Sequence, residues 1–345
     1  MLSTVNSDII VAIDAMGGDF APLSVIQGAD FFLNNLLDPN TKVFFHVYGD
    51  QQKVLPLLLK YKKVNSNSQF THCSDSVLAN DRPSFALRNR EDSSMKIAVE
   101  AVKQGRASSI VSSGNTGALM AISRFTLGTL PNIYRPAIVS ICPTKAKSFA
   151  LLDLGANVDC NADSLFQFAL MGSIFAKIVL KIDNPEVALL NIGTEEVKGT
   201  DAVRGAFELL KNASNFTNFQ GYIEASEFLE GNVDVIVADG FVGNVMLKTA
   251  EATASTFLDL IKGELSHSLI VKLLGMLLKS KLNKALARFN PKIRSGAMFL
   301  GLNGIVIKSH GNSDAVSFAH AIRFAVNSIS KSLNQKIING VSNIE

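Results

Sequence analysis

Residues 109 to 117, Ser-Ile-Val-Ser-Ser-Gly-Asn-Thr-Gly, combine an apolar strand end with small hydroxyl and amide side chains, two glycines and a helix-compatible continuation at Ala118-Leu119-Met120. That order exposes backbone N–H groups and hydroxyls at a helix N-terminus, where the peptide dipoles favour an anion. Glycine lets the backbone approach a ligand closely. Ser113, Gly114, Asn115, Thr116 and Gly117 are therefore candidate phosphate ligands, against the plainer reading of a strand-to-helix turn. His310, in Ser309-His310-Gly311-Asn312-Ser313-Asp314 just past an apolar run, has a type and place suited to moving a proton or contacting an oxyanion. Lys198 follows Glu195 and Glu196 and precedes Gly199; it reads as charge neutralisation, or equally as part of a solvated helix start. Asp239, in Ala-Asp-Gly-Phe, is a ligand candidate or a turn brace. Arg82, Arg88 and Arg90 could grip an anion bidentately or be surface charge.

Similar loops recur after apolar strands: Asp14 to Asp19, Asp153 to Asn157, Asn191 to Glu196 and Asp239 to Asn244. In a parallel sheet, ligands bind beyond the carboxyl ends of the strands. The repetition predicts one shared cleft and adds Asp14, Gly17, Gly18, Asn157 and Asn244 to the substrate candidates.

The elements that must carry these loops are visible in the periodicity. Apolar strand-type runs lie near 9–13, 43–48, 108–112, 137–141, 149–153, 187–191, 233–238 and 304–308. Helix-period segments lie at 23–37, 93–104, 118–127, 163–179, 202–210 and 243–263. Their alternation predicts an α/β protein with a sheet covered on both faces, in one catalytic unit over 1–345. Residues 65–68 read as a polar connection, and the ends, before Asp8 and after about Asn334, as loosely held tails.

Between 257 and 294 the pattern changes to a long Leu-rich helical stretch. Leu269, Ile270, Leu273 and Leu277 belong to a run apolar nearly all round, followed by Lys279, Lys281, Lys284 and Arg288. Such a run suits a helical hairpin lying on an anionic membrane surface or docking an acidic partner; a subunit interface and an ordinary core helix are its alternatives.

Composition narrows the classes. The 345 residues are 47% hydrophobic, which allows a large core, and the net charge of +3 is too mild for a general nucleic-acid binder. Cys73, Cys142 and Cys160 have neither metal-ligand spacing nor an even-numbered framework, as expected in a reducing cytoplasm. The first residues lack a signal-peptide layout, and no apolar run approaches the roughly 20 residues that span a bilayer. There is no Gly-x-Ser-x-Gly elbow, HExxH or EF-hand loop, so neither a structural metal nor a cofactor is expected. Gly-x-Gly-x-x-Gly is absent after the first strand, which weighs against a dehydrogenase.

Six segments in fixed order carry a family resemblance: Ile13-Asp14-Ala15-Met16-Gly17-Gly18-Asp19-Phe20-Ala21-Pro22, Ser113 to Ala118, Arg135-Pro136-Ala137, Leu152 to Asn157, Asp239 to Asn244 and Ser309-His310-Gly311. Together they resemble the bacterial phosphate acyltransferases of phospholipid synthesis from about residue 9 to about 330. The resemblance implies a three-layer α/β/α fold like isopropylmalate dehydrogenase and phosphotransacetylase, a homodimer, and peripheral membrane association. It implies acyl transfer from acyl-[acyl carrier protein] to inorganic phosphate, and delivery of acyl phosphate to a membrane glycerol-3-phosphate acyltransferase. Two rival functions are a soluble phosphotransacetylase using acyl-CoA and a non-catalytic, membrane-associated phosphate-binding protein.

Overall fold

The computed structural model describes residues 8–213, 215–266 and 296–342. Its strands are β1 (Ile9–Asp14), β2 (Val43–Gly49), β3 (Ser68–His72), β4 (Ser109–Ser112), β5 (Ala137–Pro143), β6 (Ser148–Leu152), β7 (Glu186–Asn191), β8 (Asn218–Glu224), β9 (Val235–Val237), β10 (Ala297–Leu300) and β11 (Ile305–Lys308). The helices are α1 (Leu23–Asn35), α2 (Gln51–Lys60), α3 (Lys62–Ser66), α4 (Pro83–Asn89), α5 (Ser94–Lys103), α6 (Thr116–Leu127), α7 (Ala162–Phe175), α8 (Asp201–Asn212), α9 (Gly240–Ser266), α10 (Ala315–Ser330) and α11 (Leu333–Val341).

All eleven strands join one sheet in the order β3-β2-β1-β4-β11-β10-β5-β6-β9-β7-β8. Alternation along each strand builds a core on each face. On one face Val11, Ile13, Val111 and Ile307 lie in the core covered by α10 with α1, and β6, β7 and β9 lie under α7; on the other face Ala12, Ile110 and Val306 lie in the core that α5 and α6 share. This is the expected three-layer α/β/α arrangement.

The sheet has two halves of opposite direction. β1, β2, β3, β4 and β11 are mutually parallel. β10 pairs antiparallel with both β11 and β5, and β5 pairs antiparallel with β6. β6, β9, β7 and β8 then run parallel to one another. Three antiparallel pairings reverse the second half relative to the first. The loops after β1, β4 and β11 therefore leave one edge of the sheet, and those after β6, β7 and β9 leave the other. The expected single row of loops at one edge is replaced by two rows.

Other expectations change as well. Residues 65–68 are not a plain connection: α3 ends there and β3, an edge strand, begins. The chain after Asn334 is not a loose tail. Leu333, Ile337 and Val341 recur at helical spacing and are buried, which docks α11 beneath α7. The stretch Ala162–Leu180 is long and apolar enough by composition to cross a membrane, yet Leu165, Phe168, Met171 and Phe175 are buried in the core. Of the Leu-rich segment only α9, up to Ser266, is described; Leu269, Ile270, Leu273, Leu277, Lys281 and Lys284 lie outside the described residues.

Candidate active site

β11 lies beside β4 with Lys308 level with Ser112, so the loop carrying His310 sits next to the loop carrying Ser113. The Ser309 amide donates to the Ser112 carbonyl at 2.9 Å. The Asp19 amide donates to the Gly311 carbonyl at 2.8 Å, which ties in the loop after β1. Three of the segments singled out in the sequence thus converge at one sheet edge.

A buried carboxylate organises them. Asp14 accepts the Ser94 and Ser112 hydroxyls, each at 2.6 Å, and the Met16 amide at 3.3 Å. Burial raises its proton affinity, and these donors oppose that shift. The Ser112 oxygen in turn accepts the Gly114 amide at 3.0 Å. Gly17 fits into the same space: a Cβ there would lie 2.6 Å from both Asp14 Oδ2 and the Gly114 nitrogen. Gly18 has φ +104°, in the left-handed region that favours glycine, and faces Ser113.

Asn115 caps α6 by accepting the Ala118 amide at 3.0 Å. Its amide group also donates to the Ala79 and Asp81 carbonyls at 3.0 and 2.9 Å. The side chain is thus committed to bracing the loop, whereas Thr116, in the first turn of α6, reaches the cavity described below. Arg90 braces the same region. It binds Asp81 through Nε at 2.9 Å and Asp75 through Nη1 at 3.0 Å, and its hydrogen bond holds the Asp81 carboxyl below the usual range. Arg82 and Arg88 are exposed.

α9 provides the facing wall. His310 Nε2 lies 3.6 Å from Glu251 Oε1, and Lys248 Nζ donates to Glu251 Oε2 at 2.8 Å. Burial lowers the proton affinity of His310; Glu251 opposes this, and Lys248 and Lys308 reinforce it. His310 is therefore neutral near pH 7, able to accept one proton and donate another. Lys308 is buried with its Nζ on the carbonyls of Ser113, at 3.4 Å, and Ser309.

This polar group forms one end of a cavity of about 1230 Å³. Thr116, Lys248, Glu251, Lys308 and His310 line that end. Ile138, Cys142, Leu151, Leu154, Leu190 and Phe228 supply an apolar wall, with Val245, Met246 and Ala250 of α9. Ligand pockets commonly measure about 300–1,000 Å³, so the space exceeds what a small polar substrate needs.

The other candidates lie elsewhere. Asp153 is fully buried and accepts the Ile138, Gly155, Ala156 and Asn157 amides. Asn157 donates to Asp153 and to the Pro136 carbonyl, so its amide holds this turn together at the opposite sheet edge. Asp239 accepts the Val242 amide at 2.8 Å and caps α9. Asn244, one turn into α9, lines the cavity. Lys198 is exposed after β7, its carbonyl bonded to the Asn191 amide, and is not among the cavity-lining residues. Lys308, Glu251, Ser94 and Ser112 were not among the site residues expected from the sequence. The available signal for Lys308 was one cation closing an otherwise apolar strand, two residues before the histidine. For Glu251 it was the three-residue spacing from Lys248 along a helix.

Residues 9–336 match a family model described as a fatty acid synthesis protein. A phosphate acyltransferase from Wolbachia sp. subsp. Drosophila simulans (strain wRi) is 82% identical over 346 positions, covering 100% of both chains. Another from Ehrlichia canis (strain Jake) is 58% identical, covering 96% of this chain and 98% of the relative. A solved phosphotransacetylase from Streptococcus pyogenes shares the fold, with a TM-score of 0.62 at 19% identity over 94% of each chain. Motif order and near-complete relatedness agree: the chain belongs to the bacterial phosphate acyltransferase family and is an acyltransferase.

Proposed function

We propose that the protein transfers a long-chain acyl group from acyl-[acyl carrier protein] to inorganic phosphate, giving acyl phosphate and free carrier protein for phospholipid synthesis. The observation that carries this reading is the two-ended cavity, polar at Lys248, Lys308 and His310 with the two lysines as its cations, and apolar along Ile138, Leu151 and Phe228. The apolar wall would hold the acyl chain, each buried methylene contributing about 0.8 kcal/mol. The polar end would hold phosphate beside the α6 N-terminus.

The chemistry needs no protein nucleophile. An oxygen of hydrogen phosphate attacks the thioester carbonyl, a C–O bond forms and the C–S bond breaks. The electron pair leaves on sulfur, and the phosphate proton ends on the thiol. Neutral His310 suits this transfer, accepting the proton as attack proceeds and returning it to the leaving sulfur. Positioning by the Ser113 to Gly117 loop and charge from the lysines supply the remaining catalysis. Lys198, Asp239 and Asn157 would act outside this group, the last two by shaping the start of α9.

The expected setting is a homodimer at the inner face of the cell membrane, passing product to a membrane glycerol-3-phosphate acyltransferase. Exposed Phe241, Val245, Phe257 and Leu260 on α9 support a subunit contact. The apolar run from 269 with its trailing lysines supports membrane or carrier docking. Matched acyl-carrier and acyl-CoA substrates, assayed at equal concentration for phosphate-dependent thiol release, test the donor. A higher kcat/KM for the carrier is expected; equal or greater use of acyl-CoA would favour a phosphotransacetylase-type donor.

A further inference from the structure

Lys308 is a buried cation with no counter-ion among the described residues. It ends an otherwise apolar strand and is 8% exposed, yet it lines the polar end of the cavity. Among the described residues no carboxylate reaches ion-pair distance of its Nζ; its contacts are the Ser113 and Ser309 carbonyls. An ammonium has three donors, so two carbonyls leave one unused. A buried charge without a partner is costly, and a fold that keeps one beside an open cavity is suited to receiving the opposite charge. The Ser113 hydroxyl, in the loop that Lys308 touches, is also buried without a hydrogen-bond partner.

We propose that Lys308 is the cation that binds the phosphate co-substrate, and that phosphate binding completes an ion pair the free protein leaves half-built. The carbonyl contacts fix the ammonium between the β4 and β11 loops, so one side chain both joins the two loops and presents charge to the ligand. This rests on the reading of phosphate as co-substrate.

The electrostatics agree. Burial pulls the Lys308 amine down to about 8, with Lys248 adding to the effect and Asp14 and Asp19 opposing it. Among the described residues, the charged and titratable groups facing this end are Lys248 and Glu251 from α9, His310, and Asp14 and Asp19 after β1. Only Lys248 and Lys308 are amines, and Lys248 is solvent-exposed.

The test measures phosphate affinity by phosphate-induced thermal stabilisation without acyl donor, and phosphate KM with it, between about pH 7 and about pH 9.5. Wild-type affinity is expected to fall by up to about tenfold per unit above pH 8, as Lys308 loses its proton. Lys308→Met should lose most of the stabilisation and raise phosphate KM at least about tenfold, with a smaller effect on kcat. Lys308→Arg, always charged, should flatten the alkaline fall; Lys248→Met should leave it in place. A folded Lys308→Met protein with wild-type phosphate affinity, or a Lys308→Arg protein with the wild-type alkaline fall, overturns the proposal. A wild-type protein that ignores phosphate in both measurements removes the co-substrate reading itself.

Discussion

Asp14 and Ser112 share a 2.6 Å hydrogen bond across 98 residues of sequence, and the Ser112 oxygen then receives the Gly114 amide. A carboxylate at the end of β1 thereby sets the shape of a loop at the end of β4. Gly17→Ala tests this relay by placing a methyl group against Asp14 and the Gly114 nitrogen. The expected result is a destabilisation of about 1–3 kcal/mol, typical of overpacking, with phosphate KM raised about tenfold or more. Urea melts and phosphate saturation curves check both. Wild-type values in each would mean the relay does not shape the loop.

Asp14→Asn offers the milder version. An amide oxygen can accept from one serine while its NH₂ cannot accept from the other. The loss of one charge-assisted bond should cost about 1.5–3 kcal/mol and weaken phosphate binding more than it lowers kcat. Steady-state kinetics in phosphate separate the two.

Much of the edge that carries this site could be read from residues in order. The runs at 9–13, 108–112 and 304–308 became β1, β4 and β11, and their loops meet. Strand direction could not be read so simply. The short β10, whose Ala-Met-Phe-Leu follows the lysine-rich stretch, went unrecognised, and its antiparallel pairing reverses half of the sheet. Asp153 to Asn157 and Asp239 therefore resemble ligand loops in sequence while closing their own hydrogen bonds at the far edge. Asn115 shows the same ambiguity within the site, since a capping amide and a ligand amide are the same residue type. Lys308 was hidden because burial with no opposite charge beside it among the described residues is a property of packing, not of sequence.

His310 should act in the chemical step. His310→Asn is expected to lower kcat about 10²–10⁴-fold with little change in phosphate KM. Because burial depresses its proton affinity, the acid limb that His310 contributes should lie below the ordinary histidine value of 6.5. The pH dependence of kcat/KM checks this; a variant with unchanged turnover and profile removes His310 from the mechanism.

The apolar wall should set chain length. Ala250 lines the cavity, and Ala250→Phe would fill part of it. Each methylene excluded from the wall costs about 0.8 kcal/mol, roughly fourfold in kcat/KM. Long-chain donors should lose about tenfold or more while short-chain donors are spared. A uniform loss across chain lengths would place the acyl group elsewhere.

His320 should make the fold acid-sensitive independently of the site. It is 8% exposed in α10, its Nδ1 lacks a hydrogen-bond partner, and burial lowers its pKa from 6.5 to about 4. The unfolded chain takes the proton first, so this stability is complete above about pH 6.5 and is lost as pH falls toward 4. The contribution reaches at most about 3.4 kcal/mol at 1.36 kcal/mol per unit. His320→Leu should flatten that part of the stability profile in urea melts between these pH values.

The most direct measurement uses purified protein and a long-chain acyl carrier substrate, with and without inorganic phosphate. A thiol reagent counts freed carrier before any hydroxylamine is added, and hydroxylamine then traps acyl phosphate as hydroxamate, read above an enzyme-free blank because it also cleaves the thioester donor. The account predicts hydroxamate above that blank only with phosphate, in equal amount to the thiol released. Thiol release without phosphate, or phosphate-stimulated release without trapped acyl phosphate, would contradict it.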